Sequence, residues 1–285
     1  MSVIGWLAAA MAVVILVAGC GQAKPQVPHP KVNPPAVRDA GILRAGVDLD
    51  YPPFAGTDNG QQAGLDIDVA SALAEKLGLK LEVVDVKPSD VATALAHGTA
   101  DVAFSVPFSD AALANVTLAG SYVSDAEGFF VATDSSASIE PTLTERGLPL
   151  PPAKIGVQKK SPAYWRLVQD LGAGSVQTYP ALRDAMGALD SGELPVVAGD
   201  AIVGAYISRD FPNVHFAGQL GDGTLLGVGV APDNSTLSEA TRSALDGLAA
   251  DGVLDAIRFK WAADLPKLTV SASANAGDTT PSTTP

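Results

Sequence analysis

A single cysteine, Cys20, occurs in 285 residues, so no disulfide can form within the chain. Histidine is almost as scarce. His29, His97 and His215 stand far apart, without the spacing of a metal site and without a serine and an acid arranged as a nucleophilic triad. The residues therefore name no catalytic group, metal or cofactor. Basic residues are few: 18 Lys and Arg stand against 31 Asp and Glu, a formal charge of −13. That field repels phosphate backbones and argues against nucleic acid as a partner. Lys and Arg are absent altogether between Lys87 and Arg146. The apolar run Val3–Ala18, broken only by Gly5, is shorter than the roughly 20 residues that span a bilayer.

What is present is an acidic, apolar-rich chain, 47% hydrophobic, long enough for one large or two ordinary domains. Its organising stretch runs from Gly41 to Ala74. Ile42–Val47 is a short apolar run suited to a buried strand, ending in Asp48, Asp50, Tyr51 and Phe54 around Pro52-Pro53. Proline cannot donate to a sheet ladder, so the strand must end there in a loop. Asp58-Asn59-Gly60 signals a tight hairpin turn. Val69, Leu73 and Leu77 then share one helical face, with Gly78 as the stop. Asp66 and Asp68 are expected to cap this helix. A strand that ends in a polar, aromatic loop before a βα unit is where open α/β sheets place ligands.

The alternation continues. Leu79–Val84 reads as a half-buried strand, Pro88–His97 as a helix and Asp101–Val106 as a buried strand, a pattern that predicts a mostly parallel sheet flanked by helices. Glu127–Thr133 predicts a strand that crosses into a second unit. That unit has strands at Lys154–Gln158, Val176–Tyr179, Val196–Ala198 and Val214–Ala217, and helices at Ala163–Leu171 and Ala181–Asp190. Ser161-Pro162 is a helix start. Leu225–Val230 reads as a returning strand, followed by helices at Leu237–Ala250 and Val253–Trp261. The five prolines of residues 21–37 predict an extended spacer, and the Ser, Ala, Thr, Pro and Gly of residues 269–285 predict a disordered tail.

Two resemblances give these elements a frame. Val17-Ala18-Gly19-Cys20 looks like the lipobox of bacterial lipoproteins, which implies removal of residues 1–19 and acylation of Cys20 outside the cytoplasmic membrane. Gly41, Leu43, Gly46, Asp48, Tyr51-Pro52-Pro53-Phe54, Gly64, Asp66, Asp68 and Ala70 resemble the opening of the extracellular solute-binding proteins of ABC importers, polar-amino-acid class. Ala188–Asp200 and Asp251–Trp261 are similar to that family's second-lobe and C-terminal motifs, so the likeness extends from Gly41 to Trp261. It implies an α/β, two-lobed periplasmic-binding-protein-like fold. Lobe 1 would comprise residues 38–126 and 223–268 and lobe 2 residues 127–222, with hinge segments near 127–133 and 217–225. It further implies a monomer that passes a small polar solute to a membrane permease.

By that resemblance Asp48 and Tyr51, with Phe54 beside them, occupy first-lobe binding positions. Ser105 falls where the family presents hydroxyls, and Asp200 matches the second-lobe acid that receives an amino group. The arginine that holds an α-carboxylate in the family should follow Ser105, but Val106–Ala112 contains no cation. Either the solute lacks that carboxylate or lobe 2 holds it, with Lys159, Lys160 and the helix start at Ser161 as candidates. Negative walls without a cationic fork favour a cationic solute. A ligand-sensing lipoprotein would need the same cleft. A dehydratase or lyase on this fold would need a positioned acid or base, for which Asp48 or Asp200 could serve.

Overall fold

The strand β1 (Ile42–Val47) alternates its side chains as a half-buried strand must: Leu43, Ala45 and Val47 are buried, while Arg44 pairs with Asp39 and Glu82. The computed structural model describes residues 29–109, 115–132, 142–143, 149–150, 154–219, 223–263 and 265. The expectations for the leader, Cys20, Ala111-Ala112 and the tail from 269 lie outside those residues.

After β1 come the hairpin β2 (Gly56–Asp58) and β3 (Gln61–Ala63), α1 (Leu65–Leu77), β4 (Lys80–Asp85), α2 (Val91–Ala96), β5 (Val102–Pro107), β6 (Thr117–Asp125) and β7 (Glu127–Ala132). The small pair β8 (Thr142–Leu143) and β9 (Pro149–Leu150) precedes β10 (Ile155–Gln158), α3 (Pro162–Leu171), β11 (Val176–Tyr179), α4 (Leu182–Asp190) and β12 (Val196–Asp200). The chain continues with α5 (Ala201–Ser208), β13 (Val214–Gln219), β14 (Thr224–Val230), α6 (Ser235–Ala250) and α7 (Val253–Ala262). The turn at Asn59-Gly60 has φ 49° and 79°, the left-handed conformation that a primed hairpin turn requires.

Two five-stranded sheets form, ordered β4-β1-β5-β14-β6 and β11-β10-β12-β7-β13. Each is mostly parallel in direction, as expected, with one strand reversed, β14 in the first and β7 in the second. β1 pairs in parallel with β4 and β5, and β10 with β11 and β12. The strands that cross between lobes run antiparallel to their neighbours. The reason is geometric: β7 and β14 enter their sheets at the end where the parallel strands finish, so each runs against them, and β6 and β13 run back in the parallel direction. The crossings are tighter than the sequence suggests, with Ala126 alone between β6 and β7, and residues 220–223 between β13 and β14.

Each sheet separates two layers of core. Phe129 and Phe130 are consecutive on β7, so they point to opposite faces. Phe129 packs with Ile155, Val157, Leu167 and Ala198, and Phe130 with Met186, Leu189, Val197 and Val214. In lobe 1, Leu43, Val47, Phe54, Leu65, Leu73 and Leu77 meet Leu237, Leu245 and Leu248 of α6. The proline-rich stretch is not spacer throughout: Val32, Ala36 and Val37 are buried in this same core. Three apolar side chains at turns give the segment something to bury, which overrides its composition.

The helix α5 lies so close to β7 that a Cβ on Gly204 would sit 2.2 Å from Phe130 Cζ. In a solvated helix Gly→Ala is stabilising by about 1 kcal/mol. Here the overlap with a fully buried ring reverses the sign. Gly204→Ala is expected to lower the unfolding free energy by about 1–3 kcal/mol, the usual cost of overpacking, measured by urea titration. A gain in stability would show that α5 can lift off the sheet without penalty.

Candidate functional site

The floor between the lobes is the first crossing. Asp125 ends β6 opposite Thr224 on β14, and Glu127 opens β7 opposite Asp200 on β12. Between them the Ala126 carbonyl accepts the Ala201 N–H at 2.8 Å. Glycine lets these segments close up: a Cβ on Gly223 (φ 72°) would lie 2.3 Å from the Asp125 carbonyl oxygen, and one on Gly128 would lie 2.8 Å from Ala201 Cα. Above this floor is a cavity of about 900 Å³ lined by both lobes. That is within the size range of small-molecule sites.

Asp200 is both cap and wall. Its Oδ1 accepts the Val203 N–H at 2.8 Å and so starts α5, while its Oδ2 accepts the Tyr51 hydroxyl at 3.0 Å from the opposite lobe. Burial and the neighbouring carboxylates hold the Tyr51 phenol far above its usual range, so it acts only as a neutral donor and acceptor. The Asp125 carboxyl faces Asp200, and burial, followed by that like charge, pushes its pKa well above the usual carboxylate range. Its Oδ1 is shielded from solvent and has no hydrogen-bond partner among the described residues. Glu127 is 3.5 Å from Arg166 Nη1 of α3.

Of the residues expected at the site, Tyr51, Lys159, Lys160, Ser161 and Asp200 line this cavity. Ser161 caps α3 by accepting the Tyr164 N–H at 3.1 Å, and Lys160 beside it takes a left-handed φ of 62°. Asp48, Phe54 and Ser105 do not line the cavity. Asp48 accepts from Lys87 Nζ at 2.6 Å, and Lys87 also reaches Asp50 at 2.7 Å and Asp85 at 3.3 Å. A carboxylate answered by its own chain has less to offer a solute. Phe54 is 1% exposed and lies parallel beneath Tyr51, with ring centroids 5.2 Å apart, so it sets the Tyr51 ring instead of contacting a solute.

Ser105 turns inward for a backbone reason. β5 carries one residue more than β14 between the pairs Ala103–Gly229 and Val106–Gly227, a β-bulge, and Ser105 takes a left-handed φ of 53°. The bulge aims its hydroxyl at Asp66, to which it donates at 2.7 Å, while the Tyr122 hydroxyl donates to the other Asp66 oxygen at 2.6 Å. Tyr122 in turn accepts the Ser105 N–H at 2.7 Å. Asp66 is therefore not a helix cap. The N-cap of α1 is Gly64, with no side-chain bond, and Asp66 is 2% exposed inside lobe 1. Asp68 does not cap either; it accepts from Trp261 Nε1 and Lys260 Nζ of α7.

The sequence reading passed over Asp125, Glu127 and Arg166, all of which line the cavity. All three left a signal. Asp125 and Glu127 flank the crossing point itself, and Arg166 stands four residues after Pro162, on the same face of α3 as that first-turn residue. What the sequence could not supply was which face the helix turns to the cleft.

Burial pushes the Asp66 carboxyl up to about 7, against the lowering effect of the hydrogen bonds from Tyr122 and Ser105. Between about pH 4, where a carboxyl ionises in the unfolded chain, and pH 7, the folded chain retains this proton and the unfolded chain has lost it. Stability is therefore fully present below that window and falls as pH rises through it. Asp66→Asn is expected to flatten the fall in urea midpoint between pH 4.5 and 7.5. An unchanged slope would place the retained proton elsewhere.

Comparison with known proteins agrees with this architecture. Residues 43–264 match the family described as bacterial extracellular solute-binding proteins, family 3. An L-arginine-binding protein of Pseudomonas aeruginosa is 25% identical over 233 residues, which is 77% of this chain and 87% of that protein. A cyclohexadienyl dehydratase of the same organism is 39% identical over 70 residues, covering 24% of this chain and 26% of the enzyme. Among solved structures, an ancestral cationic amino acid solute-binding protein superposes with TM-score 0.68 at 26% identity, over 78% of this chain and 96% of that one. An ancestral arginine-binding protein bound to arginine superposes with TM-score 0.54 at 30% identity, over 78% and 98% of the two chains. With a match that takes in both lobes and both crossings, the chain belongs to the bacterial extracellular solute-binding proteins, family 3.

Proposed function

We propose that this protein is a lipid-anchored receptor that closes its two lobes on a small, cationic, amino-acid-like solute and delivers it to an ABC permease. The observation that carries the reading is the division of charge in the 900 Å³ cavity: Asp125, Glu127 and Asp200 gather at the crossing, and Lys159, Lys160 and the start of α3 stand at lobe 2. A solute with an ammonium or guanidinium group at one end and a carboxylate at the other meets opposite charge at both. Lobe 2 then supplies the anion contacts that the stretch after Ser105 lacks, through lysines and the N–H groups of a helix start. The arginine-binding and cationic-amino-acid-binding relatives support the same solute class. Closure replaces the solute's water with fixed hydrogen bonds, so selectivity accompanies affinity.

The family is extracellular by description, and among the described residues no helix is long and apolar enough to cross a membrane. A lipid on Cys20 would hold such a receptor beside its permease. Cys20→Ala is expected to shift the protein from the membrane to the soluble fraction, with a mass that lacks acyl chains. A variant that stays membrane-bound at the wild-type mass would rule out the anchor.

The solute class is tested by calorimetry on a panel of arginine, lysine, glutamine and glutamate. The cationic members are expected to bind most tightly. Asp200→Asn keeps an N-cap of equal quality, so it removes charge without unseating α5. It is expected to weaken arginine binding by about 2 kcal/mol, roughly thirtyfold. Tight binding of glutamate alone would overturn the cationic reading. Mass spectrometry of the solute recovered from the complex separates a receptor from a dehydratase on the same fold: a receptor returns it unchanged.

A further inference from the structure

Asp125 and Asp200 belong to opposite lobes and meet at the crossing. Asp200 is surrounded by donors, the Val203 N–H at 2.8 Å and the Tyr51 hydroxyl at 3.0 Å. Asp125 has backbone donors at Ala126 and Ile202, yet one of its oxygens is shielded from solvent and unpartnered among the described residues, and its carboxyl lies against that of Asp200. The surrounding charged groups do not relieve the pair. Glu127 is directed to Arg166 at 3.5 Å, and Asp48 to Lys87 at 2.6 Å. Tyr51 is a neutral phenol. Lys159 and Lys160 line the same cavity, yet no ion pair among the described residues joins either of them to Asp125 or Asp200. Two carboxylates in one partly desolvated place do not both ionise. A proton or a bound cation relieves their repulsion.

We propose that Asp125 and Asp200 together seat the cationic group of the solute, and that capture of one cation expels the proton they share. Asp125 is then a specificity-determining residue of the cleft, and solute binding is coupled to proton release. The balance closes. Before capture the pair is one carboxylic acid and one carboxylate, charge −1. On capture the Asp125 O–H bond breaks, the proton passes to solvent, and two carboxylates hold a monocation, again −1. The site never carries two unanswered charges, and a neutral group of the same shape cannot replace the proton without leaving one. The raised affinity of Asp125 for its proton, caused first by burial and then by Asp200, points the same way. The inference rests on reading this cleft as the site of a cationic solute.

The experiment is calorimetry of arginine binding to the full chain at pH 7 in phosphate and in Tris, whose ionisation enthalpies differ widely. The expected result is release of close to one proton per arginine, with affinity rising by up to about tenfold per pH unit between pH 5.5 and 7.5. Asp125→Asn is expected to abolish the release and flatten the pH profile. Arginine that binds with the same enthalpy in both buffers and with pH-independent affinity overturns the inference while leaving the receptor reading intact. Failure of arginine to bind at all overturns the receptor reading. A carboxyl-carbon NMR titration of the wild-type protein then judges the proton by itself: Asp125 protonated at pH 7 without solute supports the shared proton, and Asp125 ionised there rejects it. The same titration serves if Asp125→Asn does not fold.

Discussion

A single residue, Ala126, separates the last strand of one sheet from a central strand of the other. Its carbonyl is tied to the Ala201 N–H at 2.8 Å, where Asp200 gives way to α5. This short crossing sets the geometry of everything around the cleft. It places Asp125 and Glu127 on either side of the crossing, brings Asp200 opposite Glu127, and leaves room at Gly128 and Gly223 only for backbone. A longer linker would free the lobes but scatter the acids. With one residue between the sheets, any rotation of the lobes would be absorbed where these carboxylates stand.

Apart from the two crossings, the lobes also meet at α7, which does not line the cavity. Arg209 of lobe 2 donates to the carbonyls of Lys260 and Trp261 at 3.0 and 2.8 Å, two of the carbonyl groups that a helix end leaves without intrahelical partners. On the other side Asp68 of α1 accepts from the Trp261 indole at 2.7 Å and from Lys260 at 2.6 Å. The end of α7 is thus held by lobe 1 through side chains and by lobe 2 through its backbone. Lys260 is exposed, so its ion pair is a weak tie. The indole bond, partly buried and made to a charged acceptor, is the stronger one.

Lobe 1 also contains a polar centre that the cleft depends on indirectly. Asp66, Tyr122 and Ser105 satisfy one another in a place where an unpaired carboxylate would be costly. Their mutual bonds hold the bulge of β5 in its left-handed turn. The same local logic governs Lys87, whose ammonium ties Asp48, Asp50 and Asp85 into one cluster at the ends of β1 and β4. The Lys87 cluster braces the start of the loop that carries Tyr51, and neither group lines the cavity.

Much of the architecture was legible because it depends on local order in the chain. Alternation in Ile42–Val47, the spacing of Val69, Leu73 and Leu77, the Ser161-Pro162 helix start and the Asn59-Gly60 turn are short-range signals, and each appears as its residues require. Asp200 was legible as a cap from its place between a strand and a helix, and as a cleft residue only through the family resemblance. The proline-rich stretch was misread because composition counts residues and not partners: Val32, Ala36 and Val37 find theirs in a core built mainly by residues that follow them in the chain. The amino-acid sequence by itself determined most of the elements, though not β6, and the family to which they belong. Only the tertiary structure decided which acids answer one another. Lys87 and Asp48 lie 39 positions apart, Ser105 and Asp66 also 39, and Tyr51 and Asp200 149. No periodicity in a sequence encodes pairings at such separations, because they arise from the packing of whole elements. A carboxylate's availability to a solute is set by what else lies within about 3 Å of it.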